Sequence, residues 1–315
     1  MTFKRVTKLL SLLIGVVAGF SAMIVVFFTR RMISPVRQHL WTSPAEMGLE
    51  YENVNFPAQD SVRLSGWFIP AKSAARNGAT IILLHDWTWN RLGDAAADVL
   101  ANLSGTTPVE LLRLSHALHY EGYHVLMFDQ RNHGESAMHP PVTFGLSEAN
   151  DLLGALAYLQ SRPEVDKARI GVIGFSMGAN AVLHSLPQTD QIAAAIAVQP
   201  MTIGVYADGY ARDLLGKPGE ILLPLVESAY ASVTGIGLRG LQPAFAASGG
   251  ADTPVLFIQC KDDHWGSLDD MQRLFAATPG GEELLWVDGV HRYEGFQYLI
   301  ENPRVAVKFF ERYLR

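Results

Sequence analysis

The sequence contains a single cysteine, Cys260, among its 315 residues. One cysteine cannot form an intrachain disulfide, which excludes a disulfide scaffold and a cysteine-based zinc site. Charged residues make up only 18% of the chain, and the net charge is −6 with no basic block beyond the N-terminus. Nucleic acid is therefore not an expected partner, because such binding requires a basic patch. Hydrophobic residues make up 49%, so the chain can bury a sizeable core.

The long uncharged segment of the chain lies near its N-terminus, at residues 9–28. A helix of that length rises ~30 Å, the thickness of the hydrocarbon core of a bilayer. A cleaved signal peptide is the competing interpretation, but its apolar region is usually only ~7–15 residues long. Cleavage after residues 19–21 would also leave residues 23–28 as an exposed apolar terminus. We therefore predict an uncleaved, single-pass membrane anchor over residues 1–31. Basic residues flank both ends, which leaves the side of the membrane open.

Beyond the anchor, we predict a linker over residues 32–50 and a folded domain over residues 51–315. Apolar runs in the domain alternate with helical patterns, which predicts a mainly parallel sheet with helices on both faces. The predicted strands are residues 62–69, 79–84, 123–128, 170–175, 192–198, 255–259 and 284–287. The clearest predicted helices are residues 109–120, 147–159, 220–233 and 303–313. Residues 201–253 break the alternation, and we predict that they form a small cap over the sheet.

The most informative motif is the G-x-S-x-G sequence at residues 174–178. It stands between a predicted strand and a helical stretch, which is typical of a sharp strand-to-helix turn that exposes the hydroxyl of Ser176. Glycines suit both ends of such a turn because the backbone passes close to itself there. The plain alternative is that Ser176 only caps the following helix.

An acid and a histidine follow two later predicted strands. Asp262 and Asp263 come after residues 255–259, and His291 comes after residues 284–287. The carboxyl ends of parallel strands meet at one edge of a sheet, so these side chains are expected near the serine turn. Serine, acid and histidine in this chain order are typical of a nucleophile-elbow hydrolase.

This arrangement predicts a role for each group. Ser176 needs a base to become a nucleophile, and His291 is the candidate base. Asp263 is the candidate acid that orients the imidazole, with neighbouring Asp262 as its competitor. The predicted donors to an oxyanion are the backbone N–H groups of Met177, directly after the nucleophile, and Trp87, after the first long buried strand.

The chain resembles an α/β-hydrolase from about Pro44 to the C-terminus. The resemblance rests on the serine turn, on GWFIP at residues 66–70, on His85 after a buried strand, and on DQRNHGES at residues 129–136. It is similar to the serine esterase and peptidase-like branch of that family, many members of which carry an N-terminal membrane anchor. The resemblance implies an α/β-hydrolase fold over residues 51–315, with the cap as an insertion.

The resemblance also implies Ser176, Asp263 and His291 as a catalytic triad. Asp263 is preferred because Lys261-Asp262-Asp263 matches the acid motif of the family, in which the later Asp is usually the acid. The chain departs from the family at His85-Asp86, where His-Gly is usual, and at Asn132, where Gly is common. Because Asp and Asn adopt unusual backbone angles more readily than most residues, both turns are expected to form.

The expected function is hydrolysis of a carboxylic ester through an acyl-enzyme, with a small-molecule acyl substrate and without cofactor or metal. Thioester and peptide bonds remain open as substrates, and so does the oligomeric state. Asp86 supports an alternative from another class, a catalytically silent binding or scaffold protein on the same fold. Four aromatic residues are candidates either for lining the substrate pocket or for ordinary packing: Trp87, Trp89, Tyr206 and Trp265.

Overall fold

The structure is a computed structural model that describes residues 3–72, 78–94, 108–250 and 252–315. Within these residues the chain forms ten strands: β1 (Glu52–Pro57), β2 (Arg63–Ile69), β3 (Thr80–Leu84), β4 (Gly93–Asp94), β5 (Val109–Glu110), β6 (His124–Asp129), β7 (Ile170–Phe175), β8 (Ala194–Val198), β9 (Val255–Cys260) and β10 (Gly281–Val287). The described helices are α1 (Phe3–Ile33), α2 (Leu111–Tyr120), α3 (Ala149–Gln160), α4 (Met177–Ser185), α5 (Ile203–Leu215), α6 (Lys217–Thr234), α7 (Pro243–Ala247), α8 (Leu268–Ala277), α9 (Arg292–Glu301) and α10 (Arg304–Tyr313).

Eight of these strands form one sheet, in the order β1-β2-β6-β3-β7-β8-β9-β10. The six strands from β6 to β10 in that order run parallel. Strands β1 and β2 pair antiparallel with their neighbours. The strands β3 and β7 are buried along their whole length, as their unbroken apolar sequences predict. The carboxyl ends of β3, β7, β9 and β10 therefore meet at one edge.

Helices cover both faces of the sheet. Helices α2, α9 and α10 pack on one face, with Leu114, Phe296 and Phe310 in its core. Helices α3, α4, α7 and α8 pack on the other face, with Leu156 and Val182 among the buried side chains. This arrangement is the predicted mainly parallel sheet between two helical layers.

Helices α5, α6 and α7 lie between β8 and β9 in the chain, in the segment predicted as a cap. We name α5 and α6 the cap, because α7 packs on the face of the sheet with α4 and α8 instead. A third apolar cluster lies where the cap meets the carboxyl edge of the sheet. It contains Trp87 and Met177, which the sequence places beside the serine, together with Met201 and Tyr230. The cap therefore covers the edge at which the site was predicted.

Helix α1 is long and apolar enough over Thr7–Ile33 to cross a membrane. Residues 7–20 of this helix are exposed, whereas its C-terminal part packs against α6. The backbone carbonyl of Ile33 accepts a hydrogen bond from the N–H of Val142 at 3.0 Å. The following segment, predicted as a linker, also contacts the domain: Arg37 donates to the carbonyl of Ser136 at 2.7 Å, and Asn90 donates to the carbonyl of His39 at 3.1 Å.

Candidate active site

Ser176 occupies a sharp turn between β7 and α4, with φ 49° and ψ −105°. The turn depends on its two glycines. A Cβ on Gly174 would meet the carbonyl oxygen of Gly178 at 2.4 Å, and a Cβ on Gly178 would meet that of Leu84 at 2.6 Å. Both distances are far below van der Waals contact, so only glycine fits these positions without a backbone shift.

The hydroxyl of Ser176 is buried, although the motif predicted an exposed one. It donates to the sulfur of Met201 at 3.4 Å and lies beside the carboxyl of Asp86. The expectation of exposure was wrong because the motif describes only the turn, whereas the cap and the turn after β3 supply the side chains that cover it.

The two predicted oxyanion donors converge on a single oxygen atom. The backbone N–H of Met177 donates to Oδ1 of Asp86 at 3.1 Å, and the backbone N–H of Trp87 donates to the same atom at 2.6 Å. The side chain of Asp86 therefore occupies the position between these donors, beside the Ser176 hydroxyl.

The turn that carries these groups forms without an unusual backbone angle at Asp86. The positive φ belongs instead to Thr88, at 68°. The expectation that Asp86 needs its tolerance for such angles was therefore wrong, whereas Asn132 does adopt a positive φ, of 69°.

Arg292 is a buried cation close enough to Asp86 to act on its carboxyl. It is 2% exposed, donates to the carbonyl of Gln199 at 2.6 Å and lies over the ring of Tyr206. Burial raises the pKa of Asp86, while Arg292 and the hydrogen bonds to the carboxyl act in the opposite direction. The sequence analysis did not single out Arg292. The signal that could have identified it is its position directly after His291, the candidate base.

Asp263 and His291 lie near each other but are not joined by a hydrogen bond. Oδ1 of Asp263 accepts from the N–H of Trp265 at 3.0 Å, while Nδ1 of His291 accepts from the N–H of Tyr293 at 3.3 Å. Oδ2 of Asp263 and Nε2 of His291 are both buried and have no hydrogen-bond partner in the described part of the chain. Asp262, the competing acid, is exposed.

The surroundings of His291 favour its neutral form. Burial lowers the pKa of the imidazole, and Asp263 acts in the opposite direction. The ring of Trp265 packs edge-on against the imidazole with centroids 4.3 Å apart. Because Nδ1 accepts a hydrogen bond, the proton of the neutral ring is on Nε2 in this arrangement.

Two buried histidines support the turn after β3. Nε2 of His85 accepts from the N–H of Gln130 at 3.0 Å, and Nε2 of His133 accepts from the N–H of Thr88 at 3.3 Å. Burial lowers the pKa of His85 to about 4 and that of His133 to about 3, so both rings stay neutral. They serve as acceptors that position this turn.

Buried ion pairs hold the loop after β6. Asp129 pairs with Arg91 at 2.6 Å, and both side chains are almost completely buried. Arg131 pairs with Asp151 and with Asp60, each at 2.7 Å. These contacts agree with the interpretation that the Asp and Arg of this loop brace the site.

A pocket with about 580 Å³ of empty space lies between the cap and helix α1. Its walls come from Ile24, Phe28 and Met32 of α1, from apolar side chains of α5 and α6, and from Trp87 and Phe144. A smaller pocket of about 260 Å³, which includes Asp263 and Trp265, lies beside Arg292.

Of the four candidate aromatic residues, three line a pocket and one packs in the core. Trp87 and Tyr206 line the large pocket, and Tyr206 and Trp265 line the smaller one. Trp89 is 1% exposed and packs against Phe175 and Phe296 in the main core.

Comparison with known proteins identifies the family. The sequence model of the alpha/beta hydrolase family matches residues 81–315, which is well over half of the chain. The protein therefore belongs to the alpha/beta hydrolase family, as the motifs and the fold predict.

Similar proteins agree with this assignment. The structure of the Pyrococcus furiosus esterase Pf2001 superposes with a TM-score of 0.67 and 27% identity, covering 90% of this chain and 99% of that chain. The uncharacterized protein YfhR of Escherichia coli K12 is 25% identical over 241 residues, 76% of this chain and 73% of that protein. The quorum-quenching protein AidA of Acinetobacter baumannii is 30% identical over 117 residues, 37% of each chain. The family and its esterase neighbour support hydrolase activity.

Proposed function

We propose that the protein is a membrane-anchored serine hydrolase that cleaves a carboxylic ester through an acyl-enzyme. Ser176 attacks the ester carbonyl, and His291 takes the hydroxyl proton and returns it to the leaving alcohol. Asp263 holds the imidazole, while the N–H groups of Met177 and Trp87 stabilise the oxyanion. Water, activated by the same histidine, then releases the acid and regenerates the serine.

One observation carries this proposal. Two backbone N–H groups, from Met177 and Trp87, point at a single oxygen position beside the Ser176 hydroxyl. An oxyanion hole requires this geometry, with donors about 2.7–3.1 Å from the oxygen that becomes charged. A serine that only capped a helix would not need it.

The described arrangement corresponds to a resting site. The ester carbonyl oxygen must replace Oδ1 of Asp86 on the two N–H donors. His291 must also turn so that Nδ1 leaves the N–H of Tyr293, and its ring proton must move from Nε2 to Nδ1 by exchange with water. Nδ1 can then donate to Oδ2 of Asp263, which has no partner in the described structure. That turn frees Nε2 to accept the proton of Ser176.

The first test is labelling of the detergent-solubilised full chain with a fluorophosphonate, followed by turnover of p-nitrophenyl esters. Wild type should be labelled and should hydrolyse esters, and Ser176→Ala should lose both properties. The matched control is Ser185→Ala, which changes a buried serine at the other end of α4. Labelling that persists in Ser176→Ala would refute the assigned nucleophile.

A second candidate function is a catalytically silent binding protein. The occupation of both N–H donors by Asp86 favours it, because a substrate oxygen finds no free donor there. On this alternative the well-folded wild type is neither labelled nor active, and Asp86→Gly gains both properties. Activity in the wild type rejects the silent alternative.

A further inference from the structure

We propose that the pocket between helix α1 and the cap binds the acyl chain of a lipid ester drawn from the membrane. This inference rests on the proposed ester hydrolysis and names its substrate class. The bond that breaks is the acyl C–O bond. The alcohol part of the lipid leaves with the proton carried by His291, and water completes the fatty acid.

The lining of the pocket matches a hydrocarbon chain. Among the described residues that line it there is no charged side chain, and most of them are Leu, Ala, Phe and other apolar types. A polar substrate would find few hydrogen-bond partners there.

The pocket adjoins the turn that carries one of the proposed oxyanion donors. The ring of Trp87 forms part of its wall, and the backbone N–H of the same residue is one of the two oxyanion donors. An ester whose carbonyl oxygen lies on that N–H would therefore direct its acyl chain along the indole into the pocket.

The opposite wall comes from the helix that is apolar enough to cross a membrane. Ile24 and Phe28 line the pocket and belong to the uncharged segment 9–28. Arg31, one turn further, lies over the ring of Trp87 at 5.2 Å, so α1 contacts the oxyanion turn directly. The pocket therefore lies where the helix leaves the bilayer.

The cap helix beside this wall also presents apolar side chains outward. Ile221 and Leu225, one turn apart on α6, are 72% and 55% exposed. Exposed apolar side chains that adjoin a spanning helix are expected to enter the interface of the bilayer. A lipid can then pass from the membrane to the pocket without crossing water.

The test compares esters of increasing acyl length with the full chain in detergent. Burial of each methylene contributes about 0.8 kcal/mol, which corresponds to about fourfold in kcat/KM. We expect kcat/KM to rise at least tenfold from acetate to laurate in the wild type. Ala211→Phe and Leu222→Trp, which fill the pocket from α5 and α6, should remove this gain, so that laurate loses its advantage over acetate.

Val233→Phe is the matched control, because Val233 is 69% exposed on α6 and does not line the pocket. It should keep the wild-type preference for laurate. Equal turnover of all chain lengths by the wild type, or an unchanged preference in both filled variants, would overturn the acyl pocket while leaving the serine hydrolase intact.

A binding experiment separates the pocket from the chemistry. Ser176→Ala is irradiated with a long-chain fatty acid methyl ester that carries a diazirine at the end of its chain. We expect crosslinks to the residues of α5 and α6 that line the pocket, reduced at least fivefold when Ala211→Phe is added. Such crosslinks, together with a well-folded wild type that no fluorophosphonate labels, would sustain the pocket and reject the hydrolase. Their absence would reject the pocket.

Discussion

Among single residues, Asp86 has the largest influence on the site. Its carboxyl accepts from both N–H groups proposed as oxyanion donors, lies beside Ser176, the proposed nucleophile, and lies near Arg292. A buried carboxylate lowers the stability of the fold unless it is paired and hydrogen bonded. Here its hydrogen-bond donors are the two N–H groups that the proposed reaction needs. On the proposed mechanism, Asp86 and the substrate oxygen therefore compete for the same two N–H donors.

The raised pKa of Asp86 predicts a pH-dependent effect of Asp86→Asn on stability. Because the folded state holds the proton more tightly than the unfolded state, the contribution of Asp86 to stability falls as pH rises above its ordinary pKa. Asparagine carries no such charge. The thermal midpoint of Asp86→Asn relative to wild type should therefore be higher at pH 7.5 than at pH 4.5, which differential scanning fluorimetry measures. A relative thermal midpoint that falls between pH 4.5 and pH 7.5 would contradict the raised pKa of Asp86.

The lowered pKa of His291 predicts the acid limb of the rate profile. A base must be neutral, so kcat/KM should fall only as pH drops through the pKa of His291, below the ordinary value of 6.5. Ester hydrolysis measured from pH 4 to pH 9 gives this limb. A midpoint above pH 7 would show that another group, or a charged histidine, controls the reaction.

Substitution of Asp263 and of its neighbour Asp262 should affect kcat very differently. Asp263→Asn should lower kcat by about ten-thousandfold, because an amide in place of the carboxylate holds the imidazole in the wrong tautomer. Asp262→Asn, which changes an exposed side chain, should leave kcat within about twofold. Steady-state kinetics on both variants decides between them. A larger loss of kcat in Asp262→Asn than in Asp263→Asn would identify Asp262 as the acid.

At the scale of secondary-structure elements, the turn at Ser176 depends on the close approach of Gly178 to the backbone of Leu84. Gly178→Ala would place a methyl group 2.6 Å from the carbonyl oxygen of Leu84, and we expect a loss of about 1–3 kcal/mol of stability. Gly240→Ala is the control, because nothing lies within 4 Å of its Cβ position. Denaturant unfolding compares the two. Equal stability of both variants would contradict the close approach.

The sequence was sufficient to predict most elements of the sheet. Strand β7 has the predicted bounds 170–175, because an unbroken apolar run between turn signals defines a strand buried on both faces. Residues 109–110 form a strand with β4 rather than the start of a helix, because pairing with a distant segment overrides local pattern. Helix α9 was missed, since His291 begins it and Gly295 interrupts its pattern.

The site was predictable to the level of chain order but not of side-chain contacts. The motif predicts the turn at Ser176, and the strand ends bring Asp263 and His291 to the same edge. The occupation of the oxyanion donors by Asp86 and the burial of Arg292 beside it depend on rotamers and on the cap, which a linear pattern does not encode.

At the scale of the whole molecule, the contact between α1 and the cap predicts an uncleaved N-terminus. Removal of the helix would expose one wall of the large pocket and break the hydrogen bond between Val142 and Ile33. Intact mass spectrometry of the protein purified from membranes should therefore find residues 1–33 retained. A mature chain that begins after residue 21 would establish a signal peptide instead.

The packing of α1 on α6 also joins the proposed membrane anchor directly to the domain. With α1 spanning the membrane, the protein moves only by lateral diffusion and holds its site at a fixed height above the leaflet. If the substrate is a membrane lipid, as we propose, its encounters with the protein are two-dimensional. Turnover should follow the mole fraction of ester within the membrane, so diluting that ester with inert lipid slows the reaction, whereas adding more vesicles of the same composition does not speed it.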